Sequence, residues 1–462
     1  MISFSENSLK PYSGWTHRIL SLLLFLFIFF PPFAFMPGSF KGQWIFTEYR
    51  EVKLAAITVL FWALATFFCF FCKDSKKQLL TITYKEPTFW FLCFLCGYSF
   101  LSASWAMVPE AALYETAQWL TLTAMFLILS SLFTKESHFR DLALWTLVGA
   151  FFFVTTIGLI QTRFNISFLM PIPGTKFGST FGAKNTCFLS LSSQFFLLCF
   201  LLWQAIQRQK IMVIIFIFSI IFFEFIYSMI SLSRTTYLAL ATGAMTFLLL
   251  WGIISQNWST ILRAASIFLL ITTVSGVTIH FFYKTYWNYI HYRITKRIIP
   301  LIQHPSTFLY NTSRGQVILD TTKMIKDHPF GVGAANWMFN YPLYRSHLTK
   351  RAFNKKIQIQ KVHNDYVQYL AELGFPGFLA LLGLIIFQFK RLLFLIFKKS
   401  PYSDEDQKVL GLFLCCQLVA VSVMLFFSFY LEFPYRKFLF VFLLTLIYSA
   451  SGNGRQKITY SS

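Results

Sequence analysis

Apolar runs near 20 residues follow one another along most of the 462-residue chain, separated by short polar interruptions. A run of that length crosses about 30 Å of hydrocarbon as a helix. The pattern predicts about twelve spans, near 19–36, 53–72, 88–105, 115–133, 141–160, 185–203, 211–231, 236–254, 262–282, 377–397, 409–429 and 434–450. The first run is too long, and lacks the small-residue cleavage site, for a removable signal peptide, so it reads as a retained span. One polar stretch is far longer than the rest and divides the chain. The expected organisation is transmembrane helices 1–9 over residues 1–282, a basic, partly helical loop domain over 283–366, helices 10–12 over 367–450, and a tail over 451–462. The expected fold class is an all-α integral membrane protein.

Composition agrees. The chain is 56% hydrophobic and 13% charged, against roughly 25% charged in soluble domains. The 59 Phe residues suit lipid and helix packing and carry no functional signal. Orientation follows from the positive-inside bias. With the N-terminus cytoplasmic, 18 Lys and Arg fall in the cytoplasmic loops and tails and nine in the short outer segments and span edges. Both termini are then expected inside, and the long loop outside. The net charge of +22 does not indicate nucleic acid. Most of the cations flank spans, where they anchor the chain to anionic lipid.

The long loop holds the candidate chemistry. From 283 to 362 it contains 13 Lys and Arg but only two carboxylates, Asp320 and Asp327. Such a domain suits an anion. The segment YKTYWNYIHYRITKRIIPLIQ mixes aromatic and basic residues as an interfacial helix does. In NTSRGQVILDTTKMIKDHPFGVGAANW, Ser313 can cap a helix starting at Arg314. Val317, Ile318, Thr321, Met324 and Ile325 then share one face, and Pro329, Gly331 and Gly333 end it in a tight turn. Arg314 falls in the first turn, where free N–H groups favour a phosphate oxygen. Residues 338–361 read as basic and irregular, either a lid or a loop without a role. In VHNDYVQYLAELGFPG, Tyr366, Val367 and Leu370 fit an amphipathic helix closed by Gly374, with Pro376 opening the next span. His363 stands just before that helix and is a candidate acid–base group. Arg234, in SLSRTTYLAL, is the one cation of a short outer turn, beside Ser and Thr donors. It is either a snorkelling anchor or part of a site.

Other chemistry-bearing residues read as structural. Cys69 and Cys72, then Cys93 and Cys96, have zinc-like spacing. They lie among Phe and Leu with almost no polar surroundings, which favours packing over a metal. None of the eight cysteines falls in the outer loop, so no disulfide framework is implied. Asp404, Glu405 and Asp406 form the one D-x-D. It lies opposite the basic domain and reads as a solvated charge run. No metal site is expected. Glu224 is the clearest intramembrane acid, either functional or a contact between helices. The scarcity of such groups argues against an ion-coupled transporter.

GSTFGAKNTC, SLSRTTYLAL, RGQVILDTTKMIKDHPFGVGAANW and VHNDYVQYLAELGFPG resemble the O-antigen ligase family, with its relatives the O-antigen polymerases and protein O-oligosaccharyltransferases. The resemblance covers roughly residues 175–380, and in its first motif Lys184-Asn185 stands in place of the commoner Asn-Pro. It implies a GT-C-like fold with a large periplasmic loop, in the bacterial inner membrane. It implies transfer of a glycan from undecaprenyl diphosphate to lipid A–core or another hydroxyl acceptor, with membrane lipids as surroundings and no nucleotide sugar, metal or other cofactor. Its essential residues map onto Arg234, Arg314 and His363 as the catalytic set. Arg234 and Arg314, together with Lys184, Asn185 and Tyr366, are the candidate substrate-binding residues. Ligase, polymerase and oligosaccharyltransferase would share the donor site. A lipid-linked sugar flippase is the alternative from another class.

Overall fold

In the computed structural model, residues 14–34, 46–71, 85–164, 179–181, 184–231, 233–255, 313–346, 361–397 and 405–451 are described, with isolated positions at 79, 82, 266, 273–274, 277, 280–281, 292 and 359. These are helical, with no strand among them. The helices are α1 Gly14–Phe29, α2 Phe46–Phe71, α3 Pro87–Ser102, α4 Pro109–Lys135, α5 Ser137–Phe164, α6 Lys184–Ser192, α7 Phe195–Gln207, α8 Ile211–Ser231, α9 Arg234–Ser255, α10 Ser313–Asp327, α11 Trp337–Tyr344, α12 Asp365–Glu372, α13 Gly374–Phe397, α14 Glu405–Phe427 and α15 Pro434–Ala450. Among the described residues, eight segments are long and apolar enough to cross a membrane, and Pro87–Ser102 and Phe195–Gln207 are shorter apolar helices.

The bundle is built around α14 and α15, whose buried residues run almost without interruption from Val409 to Leu425 and from Pro434 to Tyr448. Helix α14 packs against α7, α9 and α13, while α15 packs against α2 and α4. A hydrophobic core extends through these helices, α1, α5 and α8. A second, smaller core of Val317, Met324, Val332, Trp337, Tyr341, Val362 and Ala371 belongs to α10–α12 and their loops. The face expected for α10 is the one buried there: Val317 and Met324 are inside, Ile318 and Ile325 pack against them, and Thr321 is inaccessible to solvent.

Two expectations need correction. The span near 185–203 is not one helix: α6 ends at Ser192 and α7 begins at Phe195. Inside hydrocarbon the freed backbone groups must find partners within the protein. Gln417 of α14 supplies them, its Oε1 accepting from Phe196 N at 3.1 Å and its Nε2 donating to the Ser192 carbonyl at 3.0 Å. Glu224 of α8 accepts from Gln194 Nε2 at 3.0 Å at the same break, so the structure gives this acid the interhelical contact. Secondly, the stretch from 338 is not irregular throughout. Trp337–Tyr344 forms α11, because Trp337 and Tyr341 stack at 4.5 Å and bury against α10. The expected interfacial helix after 283, most of the expected ninth span and most of 347–360 lie outside the described residues. Glu405 and Asp406 form the first turn of α14, where carboxylates suit the helix dipole.

One buried ion pair ties α3 to α13. Arg391 Nη1 and Nη2 donate to Glu86 Oε1 and Oε2 at 2.7 and 2.9 Å. Thr88 and Gln388 extend the network, Gln388 Nε2 donating to Thr88 Oγ1 at 2.7 Å. Removing one partner leaves a buried charge unmatched and costs about 3–5 kcal/mol. Arg391→Ala should therefore sharply lower the thermal unfolding midpoint of detergent-purified protein. A midpoint within 1–2 °C (on the order of the surface-substitution effect) would show that the pair contributes nothing.

Candidate functional site

The Gly-rich loop after α10 fixes the architecture of one end of the bundle. Gly331 and Gly333 have φ of +86° and +101°, a region that residues with a Cβ rarely occupy. A Cβ on Gly331 would also collide with the Glu372 carbonyl, and one on Gly333 with Ala106. The loop is bonded to the α3–α4 turn on one side: Ala334 N donates to Ser102 Oγ at 3.0 Å, Trp105 Nε1 to the Gly331 carbonyl at 3.1 Å, and Val108 N to Asn336 Oδ1 at 2.7 Å. It is bonded to α12 on the other, Val332 N donating to the Ala371 carbonyl and Gly333 N to the Glu372 carbonyl, each at 2.9 Å.

Helix α12 buries a polar face. Asp365, Gln368, Tyr369 and Glu372 are all inside, at the i, i+3, i+4 and i+7 spacing of one helix side. Glu372 accepts from Ala335 N at 2.9 Å and from Gln368 Nε2 at 3.0 Å. Burial, then Glu432, pushes the Glu372 carboxyl up to about 8. Asp365 Oδ2 accepts from Tyr430 N at 2.6 Å and Leu431 N at 3.1 Å, in the loop joining α14 to α15. Burial, then the nearby Glu432, holds the Asp365 carboxyl well above its usual range. Lys361 pairs with Glu432 across the same junction. A search for an apolar stripe misses these acids, because their significance lies in the backbone groups they meet far along the chain. Arg436 and Lys437, which read as span-edge anchors, are also inside. Lys437 pairs with Glu115, and Arg436 is inaccessible.

Three of the sequence-derived candidates share one region. Arg234 opens α9 and is exposed; Arg314 lies in the first turn of α10 and is half-buried. Burial, then the charge of Arg234, lowers Arg314 below its ordinary value. Burial, then the charge of Arg314, lowers His363 from 6.5 to about 3. Arg314 thus lies in the field of Arg234, and His363 in the field of Arg314. No carboxylate pairs with Arg314 among the described residues. His363 has a φ of +65°, a left-handed conformation that strains a non-Gly residue. It is held from behind by Asn364, whose Oδ1 caps α12 by accepting from Val367 N at 3.1 Å.

Tyr366 is only partly associated with this group. Its hydroxyl donates to the Ser422 carbonyl at 3.4 Å and its ring packs against Phe426 of α14. Lys184 opens α6, followed by Asn185, but their side chains lie outside the described residues. Cys69, Cys93 and Cys96 carry free thiols, and Cys72 lies outside the described residues. Among the described residues no three His, Cys, Asp or Glu gather as metal ligands.

Residues 220–382 match the family model Wzy_C, O-antigen ligase. Over this segment, about a third of its length, the chain is similar to the O-antigen ligase family. The matched segment contains Arg234, Arg314 and His363, the Gly-rich loop and α12. The family supports a glycosyltransferase of the O-antigen ligase or polymerase type, acting on lipid-linked glycan within a membrane. The many apolar helices are those of a multi-pass membrane protein. No curated protein matches the chain.

Because the loop depends on two left-handed glycines and tight backbone approach, Gly331→Ala should release it. The expected result is faster proteolytic cleavage between 328 and 346, with cleavage in other loops unchanged. Wild-type protection there would remove Gly331 from the account.

Proposed function

We propose that this chain transfers a glycan from a polyprenyl diphosphate, undecaprenyl diphosphate in bacteria, to a hydroxyl of lipid A–core at the periplasmic face of the inner membrane. The observation that carries the reading is that Arg314, within the family-matched segment, lies in the field of Arg234 and His363 in the field of Arg314. Two neighbouring guanidinium groups repel each other, and a bound anion removes that repulsion. Guanidinium keeps its proton and binds phosphate oxygens as a planar fork. A lipid diphosphate gathers negative charge as it leaves, so fixed cations stabilise the transition state more than the ground state.

The reaction balances without redox chemistry. The acceptor oxygen bonds to the anomeric carbon, whose bond to the diphosphate oxygen breaks with the electron pair going to the diphosphate. The acceptor hydroxyl loses its proton, and His363 is the group placed to take it. Burial, then the Arg314 charge, lowers the imidazole to about 3, so it is neutral near pH 7. A bound diphosphate offsets the Arg314 charge and raises that value, so His363 becomes a stronger base when the donor is present. The same donor site serves a polymerase or a protein O-oligosaccharyltransferase. The ligase reading follows the family description.

The decisive test is transfer by purified protein from a defined polyprenyl-diphosphate-linked glycan to purified lipid A–core, with EDTA present. Arg234→Ala, Arg314→Ala and His363→Ala should each reduce transfer by about a hundredfold or more, the size of losing one charge-stabilising donor. Arg→Lys should be nearly as damaging, because the fork is lost. Product in any Ala variant at the wild-type rate removes that residue from the mechanism, and transfer abolished by EDTA contradicts a metal-independent site. Transfer to a second lipid-linked glycan or to protein, but not to lipid A–core, assigns the chain to the polymerase or oligosaccharyltransferase branch.

The pH dependence has a definite sign. A lowered imidazole value means that the free protein does not gain the His363 proton as pH falls through 6.5. The profile of kcat/KM for the donor should show no His363 ionisation near 6.5, while the acid limb of kcat should lie at higher pH than that of kcat/KM. A kcat/KM limb at 6.5 that disappears in His363→Ala would contradict the assignment.

A further inference from the structure

His363 occupies a strained backbone conformation, φ +65°, and such geometry persists only where surrounding contacts over-determine it. One contact comes from a distant part of the chain. The ring of Phe429, in the loop between α14 and α15, meets the His363 imidazole edge-on at 4.7 Å. Phe429 is held in turn. Arg436 Nη2 donates to its carbonyl at 2.7 Å. The buried Arg436 guanidinium also lies 5.5, 5.4 and 4.2 Å from the rings of Phe429, Tyr430 and Phe433. The next two residues are fastened to the His363 side of the junction, Tyr430 N and Leu431 N both donating to Asp365 Oδ2. Tyr430 Oη shares a 2.6 Å hydrogen bond with Ser193 Oγ at the break between α6 and α7.

We infer that the loop from Phe429 to Phe433 is a strap that orients His363, with Phe429 as the contact and Asp365 and Arg436 as its two fastenings. These are positioning residues for the transfer site, and the inference rests on the reading of His363 given under Proposed function. A T-shaped contact between the two rings limits the rotation of the imidazole, so one nitrogen stays aimed at the acceptor hydroxyl. Asp365 acts through its Oδ2 acceptor. An amide at 365 retains that oxygen, whereas a methyl does not.

The test uses the full-length protein in detergent or vesicles, with the donor and acceptor named above. Phe429→Leu should lower kcat about tenfold to a hundredfold, as expected for a misaligned reacting group, while the donor KM stays within about twofold. Asp365→Ala should do the same, and Asp365→Asn should recover most of kcat. Independently of turnover, diethyl pyrocarbonate should modify His363 several-fold faster in Phe429→Leu than in wild type, read by mass spectrometry. Should Phe429→Leu fail to fold, Phe429→Met carries the same measurements. Unchanged kcat together with an unchanged modification rate overturns the strap, as does equal loss in Asp365→Ala and Asp365→Asn. A wild-type protein that transfers nothing from the lipid diphosphate sinks the proposed function instead. The modification rate then decides alone whether Phe429 shields and orients His363.

Discussion

Two like charges, Arg234 and Arg314, stand close enough to perturb each other, and the fold must hold them there against their repulsion. Neither helix that carries them could do so alone. Arg234 opens α9, which is fixed along α14. Arg314 opens α10, which is fixed to α12 through the small core around Val317, Met324 and Trp337. The two helices are linked because α12 and α14 are themselves in contact, with α12 leading directly into α13. The charge pair is therefore imposed by the packing of four separate helices. Under the proposed function a bound diphosphate offsets that repulsion, and fixed cations then favour developing negative charge.

The same end of the molecule is fastened by buried polar groups more than by apolar ones. Glu372 and Asn336 secure the loop with left-handed glycines, and Asp365 secures the turn into the last helix. In a membrane protein this is economical: side-chain acceptors satisfy backbone N–H groups that would otherwise have no partner away from water. It also gives the site rigidity, since each bond joins segments remote in sequence. Ser102 and Ala334 are separated by 232 positions, and Tyr98 and Phe330 by the same number.

Much of this was legible in the sequence. Long apolar runs gave the positions of α1 to α5, α8, α9 and α13 to α15, because length and hydropathy alone determine a span. Ser313, the Val317–Ile325 face and the Gly331–Gly333 turn gave α10 and its end. Arg234, Arg314 and His363 were candidates by residue type, placement and the family resemblance; Arg314 lies in the field of Arg234, and His363 in the field of Arg314. What escaped had a common cause. The break at Ser193–Gln194 is stabilised by Gln417, and nothing local distinguishes it from polar residues tolerated in a continuous span. Asp365, Glu372 and Arg436 carry no local signal of burial in the sequence. Their burial follows only from the helices that cover them. Residues 338–344 looked irregular because a basic, Pro-containing stretch hides the Trp337–Tyr341 stack.

The central claim is that Arg234 and Arg314 grip one diphosphate beside His363. An experimental structure with a non-transferable polyprenyl-diphosphate sugar bound tests it most directly. The account predicts diphosphate oxygens within hydrogen-bond distance of both guanidinium groups, and the anomeric carbon on the His363 side. A diphosphate bound elsewhere, or held by a divalent cation with either arginine turned away, would contradict it.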